Sequence, residues 1–359
     1  MLSYPKRRFF NMKSCVAKVG SESVRVAIRS MRMRLSLIKP RYAFASLTFV
    51  FCLFTFTFSA SAQTADTVDT IHIDTSLVNL NVSVFSRDPL RLVGSLRQED
   101  FRILENGAAQ EIEFFASAET PFDLLLLIDL SGSTSDKLKL VRNTALKFVA
   151  AARPTDRIGI ITFASAPELV SPLTLDREQL KKSIKHIDRP VGGTNFWDSL
   201  RFVIESVMSQ TSGLRRSAVI VMTDGVDNAL PDVRGDGSHT SFEALLEIIK
   251  QSESIVIPIY LDTEAEEVKR HRTPASAYVI ARQQLSQIAD ASGSLVYRAR
   301  KLEDLNGVYE QVIRDLGTVY SIGYHPAQHT RDGTWRTVSV ELVGRPELAA
   351  RTKRGYYAK

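Results

Sequence analysis

Cysteine is almost absent from this 359-residue chain: there are two, Cys15 and Cys52, and none beyond residue 62. That excludes a disulfide scaffold and a thiolate metal site from the remainder. It is also compatible with export, where free thiols meet oxidising conditions. A basic surface is missing too. The formal charge of +6 comes from residues 1–62, which hold eleven Lys or Arg against one acid, Glu22; the rest has 35 bases and 39 acids. Nucleic-acid binding needs Lys and Arg clustered on the folded part, so it is not expected here. No Gly-x-Ser-x-Gly elbow and no Walker-type phosphate loop occurs, which speaks against ATP-driven work and against hydrolysis of the elbow type.

Long apolar runs are rare, and one stands out. Ala43 to Ser59 carries no charge, follows Arg32, Arg34, Lys39 and Arg41, and ends in Ala60-Ser61-Ala62. A basic region, an apolar stretch and a small-x-small end are the parts of a cleaved signal peptide. The run is slightly short for a membrane span of about 20 residues. The expectation is therefore an exported protein, periplasmic or secreted to the cell surface. The alternative is an anchor in the inner membrane through residues 43–62. Membrane contact is expected only if that segment stays uncleaved. The basic region is unusually long, and Met31 or Met33 would make a more typical start.

Beyond residue 62 the pattern is first strand-like. Val78 to Phe85 alternates apolar and polar residues, as a half-buried strand does. Phe101-Arg-Ile-Leu-Glu105 and the run from Ala109 to Ser117 flank Asn106-Gly107, a hairpin signal because both positions of a tight turn need φ > 0. At Phe122 the pattern changes. Phe122 to Asp129 is continuously apolar, the mark of a strand buried on both faces of a parallel sheet. Ser135 is placed to cap a helix whose Leu138, Val141, Ala145, Phe148 and Ala152 recur at helical spacing. Strands and helices then alternate, with helices expected near 176–187, 196–208, 241–251, 277–291 and 302–316. Residues 168–174 follow the preceding strand too closely for a helical crossover and read as an antiparallel edge. Pro258 sits in an expected inner strand, an awkward position for a residue without an N–H. After Gly317 two strand-like runs return, separated by Arg331-Asp332-Gly333.

The fold class that follows is α/β: a doubly wound, mostly parallel sheet inserted in a small β-sandwich formed by the N- and C-terminal flanks. The expected divisions are 1–62 for the export segment, 63–120 for the first β region, 121–317 for the α/β domain and 318–359 for the closing strands.

Ligands in such sheets bind past the carboxyl ends of the strands. There the sequence places Asp129-Leu-Ser131-Gly-Ser133, Gly192-Gly193-Thr194 and Thr223-Asp224-Gly225. Three hydroxyls and two carboxylates from three loops form an oxygen-only set, which suits a hard cation such as Mg²⁺, with Mn²⁺ or Ca²⁺ as alternatives. Asp-x-Ser-x-Ser, a Thr after paired glycines, and Thr-Asp-Gly after a Val/Ile-rich strand resemble the metal-ion-dependent adhesion site of von Willebrand factor A domains, a Rossmann-like fold, over roughly residues 122–316. The flanks resemble bacterial exported proteins in which such a domain follows a short β region and ends in a Gly-Tyr-rich tail. The resemblance implies that Ser131, Ser133 and Thr194 touch the metal through hydroxyls, while Asp129 and Asp224 act mostly through waters. The ion is then under-neutralised, and an acidic side chain of a protein partner is its natural remaining ligand.

The expected function is thus a non-catalytic, metal-dependent protein-binding or adhesion module of the cell envelope, with no small-molecule substrate. The alternatives are a metal-free vWA scaffold and a serine hydrolase using Ser131 or Ser133. In integrin-type A domains ligation shifts the last helix; by resemblance, the helix near 302–316 would pass such a signal to the β-sandwich.

Other features have plainer readings. Asp232 to Glu243 matches the length of an EF-hand loop, but Arg234 stands where an oxygen ligand belongs, and Thr240 with Glu243 fits a capping box. Arg234-Gly235-Asp236 is a short match to an integrin-recognised tripeptide, and matches of that length arise by chance. Asp227 is expected to fix the turn after Asp224 and Asp198 to complement a helix start. Trp197 reads as packing. His325 and His329 flank a Pro-containing turn, a poor zinc pair. Asn81-Val-Ser83 is a glycosylation sequon within an expected strand.

Overall fold

A computed structural model describes residues 77–88, 93–132, 138–188, 192–210, 215–270, 272–328 and 330–358. Residues 1–62, expected to be an export segment, Ser133, the expected cap Ser135, His72, His271 and His329 lie outside the described residues.

The first flank supplies β1 (Val78–Ser86), β2 (Phe101–Glu105), β3 (Ala108–Gln110) and β4 (Ile112–Ala116). In β1 the alternation is realised: Leu80, Val82 and Val84 are buried. β2 and β3 pair antiparallel across Asn106 (φ 48°) and Gly107 (φ 82°), the two positive-φ positions the turn needs. The run after that turn, expected as one strand, breaks at Glu111, and β3 and β4 belong to different sheets.

The α/β unit runs β5 (Phe122–Asp129), α1 (Leu138–Ala151), β6 (Arg157–Phe163), β7 (Pro167–Thr174), α2 (Arg177–Lys185), α3 (Phe196–Phe202), β8 (Arg216–Thr223), α4 (Phe242–Gln251), β9 (Ile255–Leu261), α5 (Glu264–Lys269), α6 (Ala275–Ser292), β10 (Tyr297–Ala299) and α7 (Leu305–Leu316). Its sheet has the order β10-β9-β8-β5-β6-β7; every pair is parallel except β6–β7. The antiparallel edge expected at 168–174 is therefore present.

β5 lies at the centre. Leu124, Leu126 and Ile128 face one layer with Val141 and Phe148 of α1, Leu180 of α2 and Tyr309 and Val312 of α7. Leu125 and Leu127 face the other, with Leu200 of α3, Leu245 and Ile249 of α4 and Tyr278 and Leu285 of α6. Both faces are covered, so the strand has no polar side and reads as an unbroken apolar run. Each fully buried Leu contributes about 1.5–3 kcal/mol relative to exposure.

The helix expected over 196–208 narrows to α3 and then widens into π-helical turns at Val203–Val207. Pro258 does occupy an inner strand, opposite Val221 of β8. Backbone groups of residues two apart in a strand point to the same side. On that side the Val256 carbonyl accepts from the Ser292 and Ser294 hydroxyls, and β10 pairing starts only opposite Ile259. Pro258 thus sits where no ladder donor is required.

The second flank gives β11 (Val319–Tyr324), β12 (Trp335–Leu342), β13 (Leu348–Arg351) and β14 (Gly355–Tyr357). They interleave with the first flank in two antiparallel sheets, β13-β1-β11-β4 and β14-β12-β2-β3. One core joins them: Leu80 and Tyr320 from one sheet meet Phe101, Ile103 and Val338 from the other. Phe101 and Tyr320 rings stand 5.1 Å apart. Buried within this sandwich, Glu105 accepts from the Tyr324 and Tyr356 hydroxyls at 2.7 and 2.8 Å and pairs with Arg336 at 3.3 Å.

The two linkers between sandwich and α/β unit meet at Arg216, the first residue of β8. Its guanidinium donates to the carbonyls of Ala118, Thr120 and Val319 and lies 4.0 Å over the Phe122 ring. Burial lowers its pKa to about 9, with Arg153 adding to the effect.

Candidate metal centre

Asp129 closes β5, fully buried at the carboxyl rim of the sheet. Its Oδ1 accepts the Ser131 amide at 2.8 Å, which turns the chain sharply and brings Ser131 back over the rim. Its Oδ2 accepts the Thr223 hydroxyl at 2.7 Å. Thr223 in turn accepts the Gly225 amide at 2.9 Å. One threonine at the end of β8 thus orients the carboxylate of the neighbouring strand and the turn that carries Asp224.

Asp224 is buried as well. Oδ1 accepts the Val226 amide at 3.1 Å, and Oδ2 accepts the Thr263 hydroxyl at 2.7 Å. Thr263 Oγ1 also lies 3.2 Å from the Tyr278 hydroxyl. Thr194 belongs to the third loop. Its carbonyl accepts the Asn228 amide at 2.9 Å, and the next residue, Asn195, donates to the Ala164 carbonyl at 2.8 Å. The loops approach closely at Gly193, where a Cβ would meet the Asn228 side-chain nitrogen and lie 3.1 Å from the Asp236 carbonyl.

Asp129, Ser131, Thr194 and Asp224 therefore lie in loops stitched to one another at one end of the sheet. Ser133, the remaining residue of the set, lies outside the described residues. Burial and the nearby Asp224 charge together push the Asp129 carboxyl up to about 7. Two carboxylates placed so close in a poorly solvated place repel. A divalent cation relieves that repulsion, and the surrounding hydroxyls are hard-oxygen donors of the kind Mg²⁺ takes. The donor set therefore fits a metal.

The supporting shell holds residues the sequence did not single out for it. Asp227, fully buried, accepts the amides of Trp197 (3.0 Å), Ala229 (2.8 Å) and Ser238 (3.0 Å), and the Ser238 hydroxyl (2.6 Å). It fixes the turn, as expected, and also joins α3 to the 228–238 loop. Asp198 was expected to complement the start of its own helix. It does lie in the first turn of α3, and its carboxylate also clamps the loop before α4, accepting the amides of His239 and Thr240 at 2.8 and 2.9 Å. With its amide so engaged, Thr240 does not cap that helix; Ser241 does, accepting the Ala244 amide at 3.2 Å. The EF-hand-like stretch is thus a clamped loop, and among the described residues no three His, Cys, Asp or Glu gather as a metal cluster. Thr263 could have been found by the same rim rule as the others, since it lies two residues past β9.

Trp197 packs against Phe242, ring centroids 5.8 Å apart. The described histidines hydrogen-bond or pair away from Ser131: His186 with the Lys182 carbonyl, His239 with Asp198 and His325 with Glu113. Asn81 of the sequon is engaged with the Glu253 carbonyl and the Ser321 hydroxyl.

With the sheet order and this rim in place, comparison with family models gives the class. The von Willebrand factor type A domain family matches residues 123–311, and the chain belongs to that family. Domains of this family are typically interaction modules rather than enzymes, and they can bind a metal at the adhesion-site motif. Among curated relatives, a UPF0353 protein of Mycolicibacterium paratuberculosis is 21% identical over 205 residues, and one of Nocardia farcinica is 22% identical over 211. Each match covers 54% of this chain and 61% of the relative, so the chain spans about three fifths of their length. Solved structures with a similar fold include the vWF domain of the type V pili tip protein Mfa5 from Porphyromonas gingivalis, with 12% identity, coverage of 54% of this chain and 94% of that one, and TM-score 0.41. Another is the mussel byssus proximal thread matrix protein 1 with a zinc-occupied MIDAS motif, with 17% identity, coverage of 55% and 48%, and TM-score 0.40. Among the described residues no helix is long and apolar enough to cross a membrane.

Proposed function

We propose that the chain is a metal-dependent protein-binding module, non-catalytic and exported to the bacterial cell envelope. Asp129, Ser131, Ser133, Thr194 and Asp224 would hold the ion, which is Mg²⁺ in this reading. Residues 63–120 and 318–359 form the β-domain that carries the module. The observation behind the reading is that Asp129 and Asp224 are both buried at the rim of the sheet in a loop cluster of hydroxyl donors; burial, with the Asp224 charge adding to it, raises the Asp129 carboxyl to about 7. When bound, the cation supplies a Lewis-acidic position at the surface for a hard oxygen from outside. A carboxylate of a partner brings both that oxygen and the missing charge. The basic and apolar start of the chain, residues 32–62, supports export.

Against the serine-hydrolase alternative, the histidines among the described residues are engaged elsewhere than at Ser131. The test is capture of partners from an envelope fraction by immobilised full-length chain. We expect a retained protein that EDTA releases, that Mg²⁺ restores, and that Thr194→Ala fails to hold. Capture that is equal with EDTA or with Thr194→Ala contradicts the reading.

A further inference from the structure

A cavity of about 340 Å³ opens where the start of β1, the end of α4, the 326–331 loop and the tail strand β14 meet. It lies at the opposite end of β9 from the metal rim, Glu253 preceding the strand and Thr263 following it, and is built by both flanks and the α/β unit together. Its volume is at the lower end of small-molecule sites.

The wall is unbalanced in charge. Lys250, Arg331, Arg336 and Lys353 line it, against a single acid, Glu253. Two of the cations have carboxylates outside the wall: Lys250 lies 2.6 Å from Glu247, and Arg336 lies 3.3 Å from Glu105. Glu253 is itself occupied, its Oε1 accepting from the Asn79 side chain at 3.0 Å. Lys353 is different. Burial holds its ammonium below the ordinary lysine range, and the attraction of Glu253 only partly offsets this. Lys353 is half-buried in the cavity wall, and an ammonium that has given up part of its water is costly unless something anionic answers it. Arg336 spends its terminal nitrogens on Glu105 and on the Gln328 and Thr330 carbonyls, so the Lys353 ammonium, in a wall rich in cationic side chains, is the donor that matches the lone pairs of a carboxylate or phosphate.

We propose that this cavity binds a small anion through a carboxylate or phosphate group, with Lys353 as its principal contact and Arg331 at the mouth. The site is independent of the metal rim. It ties the tail strand to α4, so its ligand would bridge the β-sandwich and the α/β unit.

The experiment is calorimetric titration of the full-length chain, freed of metal by a chelating resin and held in an uncharged-acid buffer without EDTA, with inorganic phosphate and, separately, with succinate at constant ionic strength. We expect saturable binding of one or both anions, the stronger of the two identifying the group. Lys353→Met should weaken it at least tenfold, while folding at least as stably as the wild type, because the methionine removes a poorly solvated charge. Lys181→Met, at an exposed lysine on α2 paired with Glu178, should leave it unchanged. Should Lys353→Met fail to fold, Arg331→Gln at the exposed mouth carries the test, with a several-fold loss expected. The proposal is overturned by the absence of saturable heat with both anions. Equal affinity in Lys353→Met, equal loss in Lys181→Met, or unchanged affinity in Arg331→Gln where that variant decides, overturns it as well.

Discussion

Thr223 governs more of the rim than its size suggests. Its hydroxyl donates to Asp129 and accepts from Gly225, so one oxygen sets both a carboxylate and the turn of the other. Valine has the same shape without the hydroxyl. Thr223→Val is expected to weaken Mg²⁺ binding about 10–100-fold, the range for partners that orient metal ligands. It should also cost about 1–3 kcal/mol in urea unfolding, because the buried Gly225 amide loses its acceptor. Asp227 acts on stability in the same way. It takes three amides and a hydroxyl with one buried carboxylate. Asp227→Ala is expected to lower stability by about 3 kcal/mol or more, from hydrogen bonds to a charged group of about 1.5–3 kcal/mol each. A loss below about 1 kcal/mol by denaturant titration would mean the loop finds other partners.

At the scale of elements, much was legible in the sequence and the exceptions have physical causes. The buried β5 and the alternating β1 followed from periodicity, because each is dominated by one kind of surroundings. The Asn106-Gly107 turn followed from backbone sterics. The break at Glu111 did not, since a strand that leaves one sheet for the other keeps the same residue pattern on both sides. The short helix α5, Glu264–Lys269, was missed for a related reason: six residues are too few to show a period. Asp198 and Thr240 look like helix-start residues in sequence, and only the approach of α3 to the next loop decides whom they serve. Of the candidate site, the motif gave Asp129, Ser131, Thr194 and Asp224 their places on the rim. Thr263, nearly forty residues after Asp224, stands at the same rim two residues past β9, but its bond to Asp224 shows only in the structure. Packing at this scale is testable through Leu126, fully buried on β5. Leu126→Ala is expected to cost about 2–5 kcal/mol in urea unfolding; a cost under 1 kcal/mol would contradict a strand sealed on both faces.

For the whole molecule the question is whether the α/β unit and the sandwich move against each other. The resemblance to integrin-type domains suggested that α7 passes a signal into β11. At that junction Arg216 holds the carbonyls of both linkers, and Arg153 also donates to Ala118 and Thr120. Both chains crossing the joint are thus tied to the base of the sheet. Small-angle scattering of the full chain is expected to be the same with Mg²⁺ and with EDTA. Arg216→Met is expected to change that profile and to lower the melting temperature; a metal-dependent change in the wild type would show a working hinge instead.

The central claim is that a divalent cation neutralises the buried pair Asp129 and Asp224. Titrating Mg²⁺ into full-length wild type and Asp129→Asn by calorimetry tests it most directly. The account predicts saturable one-site binding in the wild type and loss of that heat in the variant. Equal heats in the two proteins would contradict it.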